Sequence, residues 1–196
     1  MNNFQHIYRK VISQLESKLP SWLKYHSPEH TKYVLEKVIY IAGKENISGH
    51  ELFLLKIAAL YHDSGFMISQ KNHEDISCRI AAEELQEFKI KPEDIDKICG
   101  MITATEIPQN PKTKLENILA DADLEYLGTD RFMEFGQNLY EELLHWQPNL
   151  SKEEWNQIQV KFITNHNFHT NFCKLYREPK KQENLEMIRK KLQKSG

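Results

Sequence analysis

Residues 52–65 have the sequence LFLLKIAALYHDSG, an apolar run that ends in an imidazole and a carboxylate. The residues before His62 are nearly all apolar, which is typical of a helix buried on most of its surface. Gly65 follows the pair and favours the end of that helix. We therefore expect His62 and Asp63 to lie side by side at the exit of a buried helix, where both side chains can bind one metal ion.

The remainder of the chain has the periodicity of helices. Apolar residues recur at spacings of three and four, and no segment shows the alternation that is typical of a strand. Ser27 and Pro28 predict a helix start, with the serine as cap and the proline in the first turn. Capping boxes are predicted at two further starts, Ser48 with Glu51 and Ser151 with Glu154. The predicted fold class is all-α, as a single helical bundle.

Charge and composition argue against several kinds of partner. The 26 basic and 28 acidic side chains leave a formal charge of −2, which favours neither nucleic acid nor an anionic membrane surface. No apolar stretch approaches the ~20 residues of a membrane span, and the N-terminal residues lack the apolar core of a signal peptide. The three cysteines have no CxxC spacing, which favours reduced thiols. We therefore predict a cytoplasmic protein with no nucleic-acid or membrane partner.

Two further residues would complete a set of metal ligands with the His-Asp pair. His30 lies upstream, on the first turn of its predicted helix, and Asp123 lies downstream after an apolar run. Imidazole nitrogen and carboxylate oxygen suit Mn, Fe, Co, Ni or Zn, and four such ligands leave octahedral positions open for water or substrate. Each residue alone is more often a helix cap or a solvated side chain. The order of all four on three helical segments is what indicates a site.

These residues resemble the H…HD…D pattern of the HD-domain superfamily of metal-dependent phosphohydrolases. The matching segments are YHSPEHT at 25–31, YHDSG at 61–65 and DADL at 121–124. The resemblance covers roughly residues 21–144. It implies an all-α HD-type domain over residues 1–196, in which the C-terminal helices of residues 151–196 pack on that core.

The resemblance also implies a metal site and part of the catalytic machinery. One or two divalent ions (Mn, Fe, Co, Ni, Zn or Mg) would be bound by His30, His62, Asp63 and Asp123. Asp63 would also bridge a second ion or orient the attacking water. Residues 25–30 are similar to the YHNxxH segment of cyclic-nucleotide phosphodiesterases, which makes His26 a candidate general acid. Pro28 disfavours helical geometry in the residue before it, so His26 and His30 need not share a helix face.

His73, in the loop after the His-Asp pair, is a further candidate catalytic residue. In some members of the superfamily a histidine in this region binds a second metal or the substrate phosphate. The alternative is structural: Asn72 would cap the following helix, and Glu74 would favour its positive end.

His166 and His169 form a second candidate cluster near the C-terminus. Their spacing of three is that of helical neighbours. With Lys174 and Arg177 they would line a phosphate-binding rim, or they would simply form a polar helix face.

The residues that follow the His-Asp pair narrow the substrate class. Residues 64–67 are SGFM where guanosine-tetraphosphate hydrolases of the superfamily have an acidic pair, and the GYP motif of cyclic-di-GMP-specific members is absent. We therefore predict a phosphomonoesterase or phosphodiesterase that acts on a nucleotide or another small phosphorylated metabolite. The alternatives are an inactive metal- or nucleotide-binding signalling module and a metal-dependent oxygenase with two irons. The sequence leaves an oligomer open.

Overall fold

The computed structural model describes residues 3–195, and the predicted domain of residues 1–196 extends beyond them at both ends. Every regular element within the described residues is a helix, which confirms the predicted all-α fold class. In chain order the α-helices are α1 Asn3–Lys18, α2 Pro28–Lys44, α3 Gly49–Tyr61, α4 His73–Glu87, α5 Pro92–Thr103, α6 Lys114–Asp123, α7 Phe132–Trp146, α8 Lys152–Asn165, α9 Asn171–Tyr176 and α10 Glu178–Ser195. Two short 3-10 helices, Ser64–Met67 and Glu125–Gly128, follow α3 and α6.

Helix α3 is the centre of the core. It packs against α1, α2, α5 and α6, and its residues from Ile57 to Tyr61 have no exposed surface. Fully burying one large aliphatic side chain contributes about 1.5–3 kcal/mol, so the apolar run of α3 stabilises the helix where it lies. Because α3 is enclosed, the chain that leaves it delivers His62 to the interior of the protein.

Two of the predicted helix starts are confirmed. The hydroxyl of Ser27 accepts a hydrogen bond of 3.3 Å from the backbone amide of His30, at the start of α2. Ser151 and Glu154 form the predicted capping box at the start of α8. The first of these caps fixes the turn of α2 that carries a candidate metal ligand.

The capping box predicted for Ser48 and Glu51 is wrong. The Ser48 side chain makes no capping hydrogen bond at the start of α3. Gly49, the first residue of α3, has a φ of +57°, and this left-handed backbone turns the first amides of the helix away from the serine hydroxyl. The sequence analysis also missed a capping box, Thr113 with Glu116, which starts α6.

Buried carboxylates hold the C-terminal segments against the rest of the protein. Asp121, fully buried in the last turn of α6, accepts hydrogen bonds from the backbone of His169 and from the backbone and hydroxyl of Thr170, at 2.6–2.8 Å. Glu125, also fully buried, pairs with Arg177. The alternative that Asp121 is an ordinary solvated residue is therefore wrong.

Helix α10 packs on α8, on α9 and on the 3-10 helix that follows α6. The assignment of residues 1–196 to one domain stays a prediction.

The composition led to predictions about membrane spans and about the cysteines. Within residues 3–195, none of the helices is both long enough and apolar enough to cross a membrane. The sequence predicts buried, reduced cysteines; Cys78, Cys99 and Cys173 are free thiols, but only Cys173 is buried, and Cys78 and Cys99 are partly exposed.

Candidate metal centre

Three helix termini bring the four candidate ligands together. His30 lies in the first turn of α2, His62 and Asp63 directly follow α3, and Asp123 is the last residue of α6. Helix α2 packs against both α3 and α6, so these termini meet inside the protein. His30 and His62 are 3% and 0% exposed, which leaves little room for water to solvate the imidazoles.

The ligand atoms of His30, His62 and Asp123 all lie within 4.8 Å of one another, which is close enough to bind one ion, and Asp63 approaches both histidines. Nε2 of His30 lies 3.1 Å from Oδ1 of Asp123 and 3.5 Å from Oδ2 of Asp63. Nε2 of His62 lies 3.1 Å from Oδ2 of Asp63, 3.6 Å from Oδ1 of Asp123 and 3.4 Å from Nε2 of His30. Two ligands that each lie about 2.1 Å from one metal ion are about 3.0–3.4 Å apart in octahedral or tetrahedral geometry.

One buried oxygen indicates that a cation fits this set. Oδ2 of Asp63 is enclosed by the protein and makes no hydrogen bond with any described residue, although Nε2 of His62 lies 3.1 Å away. A buried carboxylate oxygen without a hydrogen bond is costly unless it is paired with a cation or coordinated. The donor set of two imidazole nitrogens and carboxylate oxygens therefore fits a divalent metal ion, which would satisfy this atom.

Neighbouring groups orient the pair at the end of α3. Nδ1 of His62 lies 2.9 Å from the carbonyl oxygen of Ala59 and donates to it, so Nε2 faces the cluster, where a bound metal ion would take its lone pair. The hydroxyl of Ser77 donates to the carbonyl of His62 and accepts from the backbone amide of Gly65, both at 2.8 Å. His30 has no corresponding partner at Nδ1 among the described residues.

The electrostatics keep both aspartates ionised in the absence of metal. Burial alone would raise the pKa of Asp123, but its hydrogen bonds to His30 and His62 lower the pKa to about 2. For Asp63, burial also raises the pKa, and the charge of His62 is the largest of several effects that lower it. Together these effects outweigh burial, and the pKa of Asp63 is lowered even more than that of Asp123. The cluster therefore presents two carboxylates that carry negative charge at neutral pH.

His26 lies just before α2 and is held by a glutamate from α7. Glu142, which is 1% exposed, accepts hydrogen bonds from the backbone amides of Tyr25 and His26 at 2.9 and 3.0 Å. Its other oxygen lies 2.5 Å from Nδ1 of His26. Burial lowers the pKa of His26, but the bond to Glu142 and the charge of Asp63 outweigh this and the pKa is raised. His26 lines the cavity beside the cluster, although it precedes the start of α2 and His30 lies within its first turn.

His73 is the first residue of α4 and faces the other oxygen of Asp63. Its Nε2 lies 3.6 Å from Oδ1 of Asp63 and 3.2 Å from Oε1 of Glu74. Asn72 makes no capping hydrogen bond, so the alternative prediction that Asn72 caps the start of α4 is wrong. Gly65 permits the approach, because a Cβ atom there would lie 2.0 Å from the carbonyl oxygen of His73. Asp63 thus lies between the His30–His62 pair and His73.

The prediction that His166 and His169 are helical neighbours is wrong. Helix α8 ends at Asn165, and His166 has an extended backbone. Nδ1 of His166 lies 3.3 Å from Nζ of Lys181, and burial with this lysine charge lowers the pKa of His166 to about 3. His166 is therefore neutral at pH 7. Arg177, which was predicted with Lys174 to line the phosphate-binding rim, is already paired with the buried Glu125.

A cavity of about 270 Å³ opens beside the cluster. Asp63, Asp123, His26 and His73 line it together with side chains of α7 and α8. Substrate bound there would contact both the candidate metal ligands and the candidate general acid. Sequence reasoning gave no sign of Glu142, Ser77 or the contribution of α7 and α8, because these contacts join residues far apart in the chain.

Comparison with known proteins agrees with this arrangement. The family model described as HD domain matches residues 29–125, which include His30, His62, Asp63 and Asp123. The crystal structure of Bacillus subtilis YpgQ in complex with ADP has a similar fold, with a TM-score of 0.66 and 19% identity over 95% of this chain and 94% of that chain. A predicted HD superfamily hydrolase from an uncultured Thermotogales bacterium has a TM-score of 0.61 and 18% identity over 100% of this chain and 93% of that chain.

At these identities the two structures show a shared fold and no more. No curated protein matches the chain significantly. The family match, the all-α fold and the ordered His and Asp residues nevertheless agree with one another. The chain belongs to the HD-domain superfamily.

Proposed function

We propose that this protein is a metal-dependent phosphohydrolase, a phosphomonoesterase or phosphodiesterase, that acts on a nucleotide or another small phosphorylated metabolite in the cytoplasm. The observation that carries the proposal is the set of ligand atoms 3.1–3.6 Å apart at the end of a cavity. His30, His62, Asp63 and Asp123 would hold one divalent ion. Mn, Fe, Co, Ni, Zn and Mg are all compatible with imidazole and carboxylate ligands.

A divalent ion bound there supplies a water of lowered pKa and stabilises charge on the phosphoryl oxygens. The protein's own residues supply the remaining steps. Asp63 orients the attacking water, because its Oδ1 faces the cavity side of the cluster near His73. The same carboxylate, with His73 and Glu74, offers ligands for a second ion.

His26 is the proposed general acid for the leaving oxygen. Glu142 holds its Nδ1 at 2.5 Å, which fixes the ring and leaves Nε2 as the proton donor. The raised pKa of His26 favours the protonated form, which a general acid requires. His73 contacts the phosphate or its second ion from the opposite side of Asp63.

A nucleotide is the proposed substrate class on two grounds. YpgQ, whose fold is similar, was crystallised with ADP. The cavity of this protein also continues from the polar cluster into an apolar compartment, which suits a ligand that is charged at one end only.

The experiment combines metal analysis with a substrate screen. The purified protein is analysed for bound metal and then assayed with Mn, Fe, Co, Ni, Zn and Mg against nucleoside mono-, di- and triphosphates, cyclic nucleotides and generic phosphoesters. We expect turnover of at least one phosphoester, and its loss together with bound metal in His62→Ala. His6→Ala is the matched control, because His6 is exposed on α1.

Three outcomes would contradict the proposal. Metal content and turnover that survive His62→Ala would remove the metal centre from the reaction. Tight nucleotide binding with no turnover under any metal would favour the inactive signalling module. Bound iron with a redox-active spectrum and oxygen consumption would favour the oxygenase.

A further inference from the structure

The cavity beside the cluster has a chemically mixed lining. Six apolar side chains of α7 and α8 contribute to it, and the space against them forms an apolar compartment: Leu139, Leu143, Trp155, Ile158, Phe162 and Ile163. No lysine or arginine is among the described residues that line the cavity. A phosphate chain packed against these six side chains would meet no lysine or arginine, so the compartment suits an uncharged group.

Gln159 is the one side-chain amide among the described residues that line this cavity. It lies on α8 and is 8% exposed. Its Nε2 makes a single long hydrogen bond, 3.3 Å to Oδ1 of Asn156. None of the described residues donates a hydrogen bond to its Oε1. The amide therefore retains the capacity to donate to and accept from a ligand.

Gly136 on α7 provides the space for this amide. A Cβ atom at position 136 would lie 2.9 Å from Oε1 of Gln159. Glycine is less favourable than alanine in a helix interior, so helix formation does not explain its presence in α7. The contact explains it, because the absent side chain is replaced by the glutamine amide.

The size of the cavity limits the group that it can hold. The whole cavity, including the part beside the aspartates, has a volume of about 270 Å³, or about nine waters at about 30 Å³ each. The part against the apolar side chains can therefore hold at most one small ring system. The aromatic side chains of Trp155 and Phe162 line the cavity and suit a flat ring. A glutamine amide pairs with a ring edge that offers one donor beside one acceptor, as it does with adenine in nucleic acids.

We propose that this compartment binds the heteroaromatic base of a nucleotide, and that Gln159 selects bases whose edge presents a donor next to an acceptor. The inference rests on the proposed function only for the position of the phosphate at the cluster. The base-binding step itself involves no metal. It can therefore be tested separately from hydrolysis.

The first experiment measures binding to protein kept free of metal by a chelator. Trp155 lines the cavity, whereas Trp22 and Trp146 contact each other elsewhere, so tryptophan fluorescence reports ring binding. We expect adenosine to change the emission and ribose to leave it unchanged, with no change in Trp155→Phe. Purine riboside, which lacks the amino donor, is expected to bind at least tenfold more weakly than adenosine.

Variants then identify the residue that makes the selection. We expect Gln159→Leu to remove the preference for adenosine over purine riboside. Gln157→Leu is the matched control, because Gln157 lies on the same helix but is exposed. Gly136→Ala should act like Gln159→Leu while leaving the protein folded, since the atom in its way is the end of a flexible side chain.

The second experiment compares turnover of adenosine monophosphate and ribose 5-phosphate with the metal that supports activity. We expect Gln159→Leu to lower kcat/KM for the nucleotide at least tenfold and to leave ribose 5-phosphate unchanged. Equal kcat/KM for both substrates in the unaltered protein, or equal binding of adenosine and purine riboside, would overturn the inference. Selective adenosine binding that depends on Gln159, without any turnover, would support the inference and contradict the hydrolase proposal.

Discussion

His62 is a buried imidazole and His166 a half-buried one, and their neighbours carry opposite charges. Oδ2 of Asp63 lies 3.1 Å from Nε2 of His62, whereas Nζ of Lys181 lies 3.3 Å from Nδ1 of His166. Burial alone lowers the pKa of either ring. The aspartates outweigh it and raise the pKa of His62 well above its ordinary value, while the lysine adds to it at His166.

The difference explains why one cluster suits a metal ion and the other does not. A cation beside His62 is attracted by two ionised carboxylates. At His166 it would meet the ammonium of Lys181, which is 1% exposed and held by Glu178 at 2.9 Å. A histidine is therefore informative about function mainly through the charges that the fold places beside it.

Replacing Asp63 by asparagine should have the largest effect of the variants proposed for the cluster around His62, on both bound metal and activity. The change removes the charge that both imidazoles and His73 face, and leaves the volume unchanged. We expect bound metal to be lost and kcat/KM to fall more than about 100-fold, beyond the range typical of outer-shell changes. Elemental analysis and steady-state kinetics measure the two effects. His166→Asn should retain both metal and activity, and equal losses in the two variants would contradict the distinction.

A smaller effect is expected when Glu142 is replaced by glutamine. The amide oxygen still accepts from Nδ1 of His26, but the amide nitrogen cannot accept from the backbone amides of Tyr25 and His26, and the charge that helps to raise the pKa of the ring is lost. We expect kcat to fall about 10- to 100-fold, at or below the lower end of the roughly 10²- to 10⁴-fold contribution of a general acid.

The pH profile of Glu142→Gln separates a catalytic role from a structural one. A general acid works when protonated, so kcat falls as pH rises through its pKa. Lowering the pKa of His26 should move this fall to lower pH. Exposed Glu141→Gln, the adjacent residue on α7, is the control, and a profile with an unshifted basic limb would count against His26 as the acid.

Ser77→Ala should weaken metal binding indirectly, because Ser77 supports the backbone of His62 and is not itself a candidate ligand. The change leaves the amide of Gly65 and the carbonyl of His62 without their buried partner, which costs about 1–3 kcal/mol of stability. We expect metal affinity to fall about tenfold, the lower end for outer-shell residues. Urea unfolding and metal titration measure these effects. Ser64→Ala is the control, because Ser64 is equally buried but donates to Tyr61; the same loss of metal affinity there would show that Ser77 has no special role.

The all-α fold was predictable because helix periodicity and most caps are local. The ligand order was predictable for the same reason: His30, His62 and Asp63 lie at helix ends that the sequence marks. The capping box predicted at Ser48 failed where one glycine changed the local backbone.

The remaining contacts depend on packing between distant segments. Glu142 reaches His26 across 116 residues of sequence, and its own segment has no motif. Gln159 acquires its space only because Gly136 lies opposite it on another helix. The sequence likewise gave no reason to expect a buried lysine beside His166.

His166→Asn should have the smallest effect, and one confined to pH dependence. The unfolded chain binds a proton at His166 below its ordinary pKa of about 6.5, whereas the folded protein does so only near pH 3. The contribution of His166 to stability is therefore complete above about pH 6.5 and is lost progressively as pH falls toward 3. Asparagine keeps an acceptor for Lys181 but does not titrate.

The free energy of unfolding in urea is measured on metal-free protein from pH 7 to 5. It should decrease less steeply in His166→Asn than in the unaltered protein, and the two slopes should differ by less than about 1.4 kcal/mol per pH unit. His6→Asn, on the exposed face of α1, should follow the unaltered protein, and a parallel curve for His166→Asn would contradict the assigned environment. His62 works with the opposite sign: because its folded pKa is raised, its contribution is complete at low pH and is lost as pH rises through the folded value. Opposite slopes from two histidines of one protein would show directly that their neighbours, and not the residue type, set their chemistry.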